Sequence, residues 1–357
     1  MTDNKSIIIF IRSILLLSLI LIIPAKNISA QEGHANCFVY HRVGDSRYPS
    51  TNITTEAFRE QLNYLKENNY EVMTLGSTVD LIRSNESIPA RAVIISIDDG
   101  YRSFYKNGLP LLEEFGFPAT LFLNPKTVGG GDYMDWDEIN DARQRGIEIG
   151  NHSYGHTQFL NIENDDERKT AFIDDLQLSH ESFMAHMGYV PTLYSYPFGE
   201  YEQGLMNVLE EEGYKGATAQ YSGVLYHGTN LLAIPRFPMG GPYANIDGFT
   251  RKIQVLPMRV IEKIPEDIRM SQNPPLLQLS IVDGSIDPGS IQCFVDGEKN
   301  CDVKIVEEND KFILKVTSKD PLNGRRSLYT ITARSENGKG WCWFSHVWVN
   351  TKISKGQ

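Results

Sequence analysis

Apolar positions along this chain fall into short blocks, and their spacing changes partway. Between about 35 and 260, strand-like runs alternate with helical ones. Cys37-Phe-Val-Tyr40 predicts a short strand. From 55 to 68, Phe58, Leu62 and Leu65 recur at helical spacing, with Thr54 or Thr55 as cap. Residues 91–97 (RAVIISI) are nearly all apolar and β-branched, which predicts a strand buried on both faces. Next come a helix over 109–114, a strand over 119–123, a helix over 137–145 closed by Gly146, and a strand over 147–149. A long amphipathic helix over 165–187, a strand over 194–196 and a helix over 203–213 complete the series. Strand followed by helix, repeated, implies a parallel sheet and most simply an α/β barrel.

The period changes after Pro257. Pro265, Pro274 and Pro275 mark a linker over 261–275. From 276 onward only short alternating strands are visible: LLQLSIV, SIQCFV, DVKIV, KFILKVT, SLYTITA and CWFSHVWV. Asp283-Gly284, Asp296-Gly297 and Asn337-Gly338 supply turns between them, so 276–357 predicts a small all-β sandwich. Trp341, Trp343, Phe344 and Trp348 could form a sugar platform there, although such alternation more often marks a sandwich core.

The first thirty residues have the layout of a secretory signal: Lys5, an apolar run to Ile23, Pro24, and Ala30 before Gln31. The uninterrupted part, 14–23, is short for a bilayer span of ~20 residues. Retention as a membrane anchor stays open. The expectation is therefore export to the periplasm, cell surface or medium. The remaining chain, 31–260, holds the barrel. Composition is ordinary for a globular protein, with 41% hydrophobic and 22% charged residues. The net charge of −11 argues against a nucleic-acid partner, which calls for a basic face. Cys37, Cys293, Cys301 and Cys342 allow three disulfide pairings. The eight-residue step from Cys293 to Cys301, around Asp296-Gly297, suits a bridge across a hairpin. No CxxC spacing suggests a cysteine zinc site.

Chemistry concentrates at strand ends. The strand over 91–97 runs into Asp98-Asp99-Gly100, and reactive groups of α/β folds gather at such carboxyl ends. Taken alone, this is also a plain Asp-Gly turn. The strand over 147–149 runs into His152-Ser-Tyr-Gly-His156, two imidazoles that a loop can bring to one side. Two histidine nitrogens and one carboxylate form a facial set for a divalent ion, with positions left open for water and substrate.

Together these motifs resemble the NodB-type polysaccharide deacetylases. Ser96-Ile-Asp98-Asp99-Gly100 resembles their TFDDG motif, and His152-Ser-Tyr-Gly-His156 matches H[S/T]xxH. Tyr194-Ser-Tyr196-Pro197-Phe198-Gly199 resembles RxPYG, with Ser195 in the place of the arginine. The resemblance implies a distorted (β/α) barrel whose Asp99, His152 and His156 hold a divalent metal, zinc or a similar ion. It implies Asp98 as the base, and Tyr196, Pro197 and Phe198 beside the substrate. Arg236, in Ile234-Pro-Arg236-Phe237, is the best substitute for the missing arginine. The usual C-terminal LxH acid motif is absent. Tyr40-His41-Arg-Val43 resembles instead the YHxV signature of the biofilm branch, which acts on poly-N-acetylglucosamine and carries its acid strand first. His41 is then the expected acid. Chitin oligomers or peptidoglycan are alternative substrates, and a non-catalytic glycan-binding protein is an alternative of another class.

Overall fold

A computed structural model describes residues 33–308 and 311–353. The apolar segment 1–30 lies outside the described residues. The described residues form one compact unit, and no helix among them is long and apolar enough to cross a membrane.

The barrel is built on a curled, mostly parallel sheet. Its strands are β1 (His34–Tyr40), β2 (Glu71–Met73), β3 (Ala92–Ile97), β4 (Ala119–Leu123), β5 (Ile147–Asn151), β6 (Leu193–Ser195), β7 (Gly216–Thr218), β8 (Leu225–Tyr226) and β9 (Phe237–Pro238). The spatial order is β8-β1-β3-β4-β5-β6-β7, with β2 also on β3 and β9 also on β1. Residues 231–238 bring the two edges together. The Ala217 N–H donates to the Leu231 carbonyl at 2.7 Å, while Phe237 and Pro238 pair with Phe38 and Val39. The first strand therefore lies beside the segment that ends the barrel.

Helices α1 (Thr55–Glu67), α2 (Leu75–Arg83), α3 (Leu109–Phe115), α4 (Trp136–Gln144), α5 (Asp165–Met187), α6 (Gln203–Glu211) and α7 (Ile246–Ile253) surround this sheet. Their starts follow local chemistry. Thr54 caps α1, and Asp135 with Glu138 forms a capping box on α4. Phe58, Leu62 and Leu65 of α1 bury their apolar stripe in one cluster with Phe38, Val93 and Ile95. Burying each such side chain contributes about 1.5–3 kcal/mol.

Beyond the barrel, strands β10 (Leu256–Pro257), β11 (Val260–Ile264), β12 (Leu276–Val282), β13 (Gln292–Val295), β14 (Cys301–Glu308), β15 (Lys311–Ser318), β16 (Arg326–Arg334) and β17 (Trp341–Val349) form two sheets. One has the order β10-β17-β16-β13 and the other β11-β12-β15-β14. Residues 261–275, expected as a linker, carry most of β11, which pairs antiparallel with β12. Ile268 is fully buried and its carbonyl accepts the Val349 N–H at 2.8 Å.

The sheet containing β17 is covered on both faces. Val347 and Val349 join the apolar cluster of α5 and α6, and Trp343 meets Phe237 of the barrel edge-on at 5.7 Å. Cys342 and Trp348, from the alternate positions, join the core between the two sheets. The C-terminal aromatics are thus mostly packing residues; Trp341, at 37% exposure, stands at the margin. Cys293 and Cys301 form a disulfide with a Cα–Cα distance of 6.0 Å. Their strands, β13 and β14, belong to different sheets, so the bridge ties sheet to sheet and does not cross a hairpin. Cys37 and Cys342 are buried and unbridged.

Candidate active site

The carboxyl ends of β1, β3, β5 and β6 converge. The Asp98 N–H donates to the Tyr40 carbonyl at 2.9 Å, which sets the end of β3 beside the end of β1 and brings His41 next to the two aspartates. Asp99 and Gly100 both have φ near +72°, in the left-handed region. For a residue with a Cβ that conformation is sparsely populated and costs about 1–3 kcal/mol, so the surrounding structure must hold it.

Asp98 is 3% exposed and fixed from one side by Arg236, which is fully buried. The two guanidinium Nη atoms donate to its two carboxylate oxygens at 2.7 Å each. Arg236 is itself aimed by its neighbours. Its Nε donates to the Ala219 carbonyl at 3.0 Å, and its Nη2 donates to Ser195 Oγ at 3.0 Å. Ser195 is therefore the small residue beside the space that this guanidinium fills from the neighbouring segment. Burial alone would raise the Asp98 carboxyl. The charge of Arg236, then that of His152, holds it below its ordinary range.

Asp99, His152 and His156 bring one donor atom each to within 4.8 Å of one another. His152 Nε2 lies 3.4 Å and His156 Nε2 3.6 Å from Asp99 Oδ1. His152 Nδ1 is 2.7 Å from the Ser195 carbonyl, so that nitrogen carries the proton and Nε2 presents a lone pair. Metal–donor bonds of about 2.0–2.2 Å in a tetrahedral array put neighbouring donors about 3.4 Å apart, so these spacings fit a divalent ion. Charge agrees with that fit. Burial would raise Asp99, but the His152 hydrogen bond and the charge of His41 pull it well below the carboxylate range. Burial lowers His156 to about 4, aided by His152 and opposed by Asp99, so the ring is neutral at physiological pH. For His152, burial acts downward but the charges of Asp98 and Asp99 prevail and raise it. The site thus favours positive charge where the ion would lie.

The turn after β6 is less uniform than its motif implies. Tyr196 is 1% exposed and its hydroxyl donates to the Leu232 carbonyl at 3.0 Å, so the ring serves packing. Pro197 is buried as well. Phe198, at φ 59°, places its ring edge-on to His156 at 4.5 Å and is the member of the three that borders the three-donor set.

Some supporting residues gave no signal in the sequence. Asp175 of α5 accepts the N–H groups of Tyr154 and Gly155 at 2.7 and 3.1 Å, shaping the loop between the two histidines. It sits in an ordinary acidic stretch of a long helix. Asn124, just past β4, donates to the His152 and Ser153 carbonyls. On the far side, Arg42 lies between the rings of Tyr101 (3.5 Å) and Tyr48 (3.8 Å), and Tyr133 stacks on Tyr101 at 4.9 Å. Asp45 and Asp132 pair with Arg42, fixing this aromatic wall beside Asp99.

Comparisons with known proteins point the same way. Residues 85–217 match the family described as polysaccharide deacetylase. The chain is 30% identical over 132 residues to the poly-beta-1,6-N-acetyl-D-glucosamine N-deacetylase of Escherichia coli K12, covering 32% of this chain but only 19% of that protein's length. It is 21% identical over 239 residues to the enzyme of the same name from Staphylococcus aureus MRSA252, covering 60% of this chain and 81% of that one. The solved structure of IcaB from Ammonifex degensii superposes with a TM-score of 0.53 at 21% identity, covering 62% of this chain and 96% of that one. That likeness carries the barrel fold.

Proposed function

We propose, from a barrel that is a NodB-type polysaccharide deacetylase domain, that the chain removes N-acetyl groups from poly-N-acetylglucosamine in a metal-dependent hydrolysis. The observation that carries this is the pairing of an Arg236-locked Asp98 with a three-donor set one residue away. The names of the two relatives support the choice of polysaccharide.

Asp99, His152 and His156 hold the ion in this reading, and zinc suits two imidazoles and a carboxylate. When bound, the ion supplies Lewis acidity, easing loss of a proton from water and drawing charge onto the acetyl carbonyl oxygen. Water adds to the carbonyl carbon, the C–N bond breaks, and acetate and a free amine leave. Asp98 takes the proton from water at a carboxylate oxygen. The fork of Arg236 occupies one lone pair on each oxygen; Oδ2 also accepts from Ser195 Oγ at 3.4 Å, which leaves Oδ1 with a lone pair for that task. His41 gives a proton to the departing nitrogen, which leaves poorly as an anion. Phe198 shields one side of His156 from water.

Export fits the 1–30 segment, and the Cys293–Cys301 disulfide fits an oxidising compartment. The deciding experiment measures bound metal and then acetate release from poly-N-acetylglucosamine, chitin oligomers and peptidoglycan. Release chiefly from the first supports the reading. Release from another of the three moves the substrate, and none from any, with metal bound, removes the enzyme assignment.

A further inference from the structure

The sandwich reaches the candidate site through two adjacent arginines. Arg325 lies bidentate on Glu200, with Nε 2.9 Å from Oε1 and Nη2 2.7 Å from Oε2, and neither side chain is more than 3% exposed. Arg325 is anchored in its own module, where Nη1 donates to the Ile353 carbonyl at 2.8 Å and its carbonyl accepts the Asn350 N–H at 2.7 Å. Glu200 closes the Pro197-Phe198-Gly199 turn, its N–H donating to the Pro197 carbonyl at 3.2 Å. That turn carries the Phe198 ring against His156.

Arg326 acts on the second half of the site. Its Nη2 donates to the Gln220 carbonyl at 2.7 Å. Gln220 lies under the turn, so close that a Cβ on Gly199 would meet the Gln220 nitrogen at 2.3 Å. On either side of Gln220, the Ala219 carbonyl accepts from Arg236 Nε at 3.0 Å and the Tyr221 carbonyl accepts the Arg236 N–H at 2.9 Å. One chain of contacts thus runs from Arg325 through Glu200 and Phe198 to His156. The other runs from Arg326 through residues 219–221 to Arg236 and Asp98.

We infer that Arg325 and Arg326 are positioning residues for the deacetylation site, and that the sandwich is part of the active-site scaffold. The inference rests on the deacetylase reading above. A buried ion pair adds little net stability over an apolar pair of the same shape, yet it fixes both partners in direction. That property suits a turn whose central residue has a positive φ and must stay in register with a histidine.

The test uses the full chain with three variants: Arg325→Met, Arg325→Lys, and the double Arg325→Met with Glu200→Met. Backbone hydrogen exchange over 196–201 and 219–222 is read together with kcat, KM and melting temperature. The double variant is expected to melt close to the parent, because no buried charge is left alone. Its exchange over 196–201 rises about tenfold or more, and kcat falls about 10- to 100-fold with KM within about twofold. Arg325→Lys restores part of kcat. Parent-like exchange at 196–201, or parent-like kcat in a stable double variant, overturns the inference. Should the double variant fail to fold, Arg325→Lys decides: lowered kcat at an unchanged melting temperature supports positioning, and parent kcat refutes it. If the parent releases no acetate from any glycan, the deacetylase reading fails, while the exchange measurement still judges the scaffold.

Discussion

Adjacent carboxylates at 98 and 99 are separated by what surrounds them. Asp98 faces a guanidinium and Asp99 faces two imidazoles. Asp99→Asn is therefore expected to lose metal and activity together. Asp98→Asn keeps metal but loses turnover by about 10²–10⁴, the usual contribution of a general base; metal analysis with acetate release checks both. His41→Ala is expected to spare metal binding and folding and to slow acetamide hydrolysis strongly. It should leave an aryl acetate nearly unaffected, because that leaving group needs little protonation. Equal losses on the two substrates would sink the acid role. The strand-end Asp, Asp and His residues were readable because each follows an apolar run that fixes its place. Arg236 was readable only through the vacancy at Ser195. Asp175 and Asn124 were not readable, since they bind backbone of a distant loop, and Glu200 and Arg325 find each other only across 125 residues.

Single elements carry their own tests. On β17, His346 is 2% exposed, with its ring 4.3 Å from Trp348 and no hydrogen-bond partner at Nε2. Burial, with the charge of Lys263 adding to it, holds the ring well below its ordinary 6.5. Above pH 6.5 neither folded nor unfolded chain protonates this residue, and it does not affect stability. Below 6.5 the unfolded chain takes a proton that the folded chain refuses. Stability then falls with falling pH, by up to about 1.4 kcal/mol per unit from this group. Urea unfolding between pH 7 and 4.5 should show that slope, and His346→Gln should make it shallower, the remainder coming from His34, His156 and His180, whose rings burial also lowers. Cys293→Ser should lower stability by about 2–3 kcal/mol, the value for so short a loop, and calorimetry with and without reductant checks it. Helix α5, bounded by Asn164 and Gly188, and β12, with Leu277, Leu279 and Ile281 buried at alternate positions, matched expectation to the residue. Helix α2 was missed because it is short and its Gly76 N–H is held by Glu148, a strand residue 72 positions away. Strand β11 was missed because it is an edge strand without clean alternation.

At the scale of the whole molecule, the barrel is not finished by its own sequence. Leu328, Val347 and Val349 pack into the cluster of α5 and α6, and Trp343 packs against that of α1 and β3. A chain ending at 255 is therefore expected to expose apolar surface, bind a hydrophobic dye and aggregate, whereas the longer chain does not. Dye fluorescence and light scattering on the two would show it, and a well-behaved short chain would refute it. The two-sided burial of β17 also has a consequence in time. As the chain leaves the ribosome, the barrel's apolar flank stays uncovered until residue 349 has emerged, and closing it requires contacts between segments far apart in sequence. Such topologies fold slowly and stay open for longer. Under the export proposed above, that delay is useful, because a translocon threads an unfolded polypeptide and the last strand acts as a late latch, closing after passage.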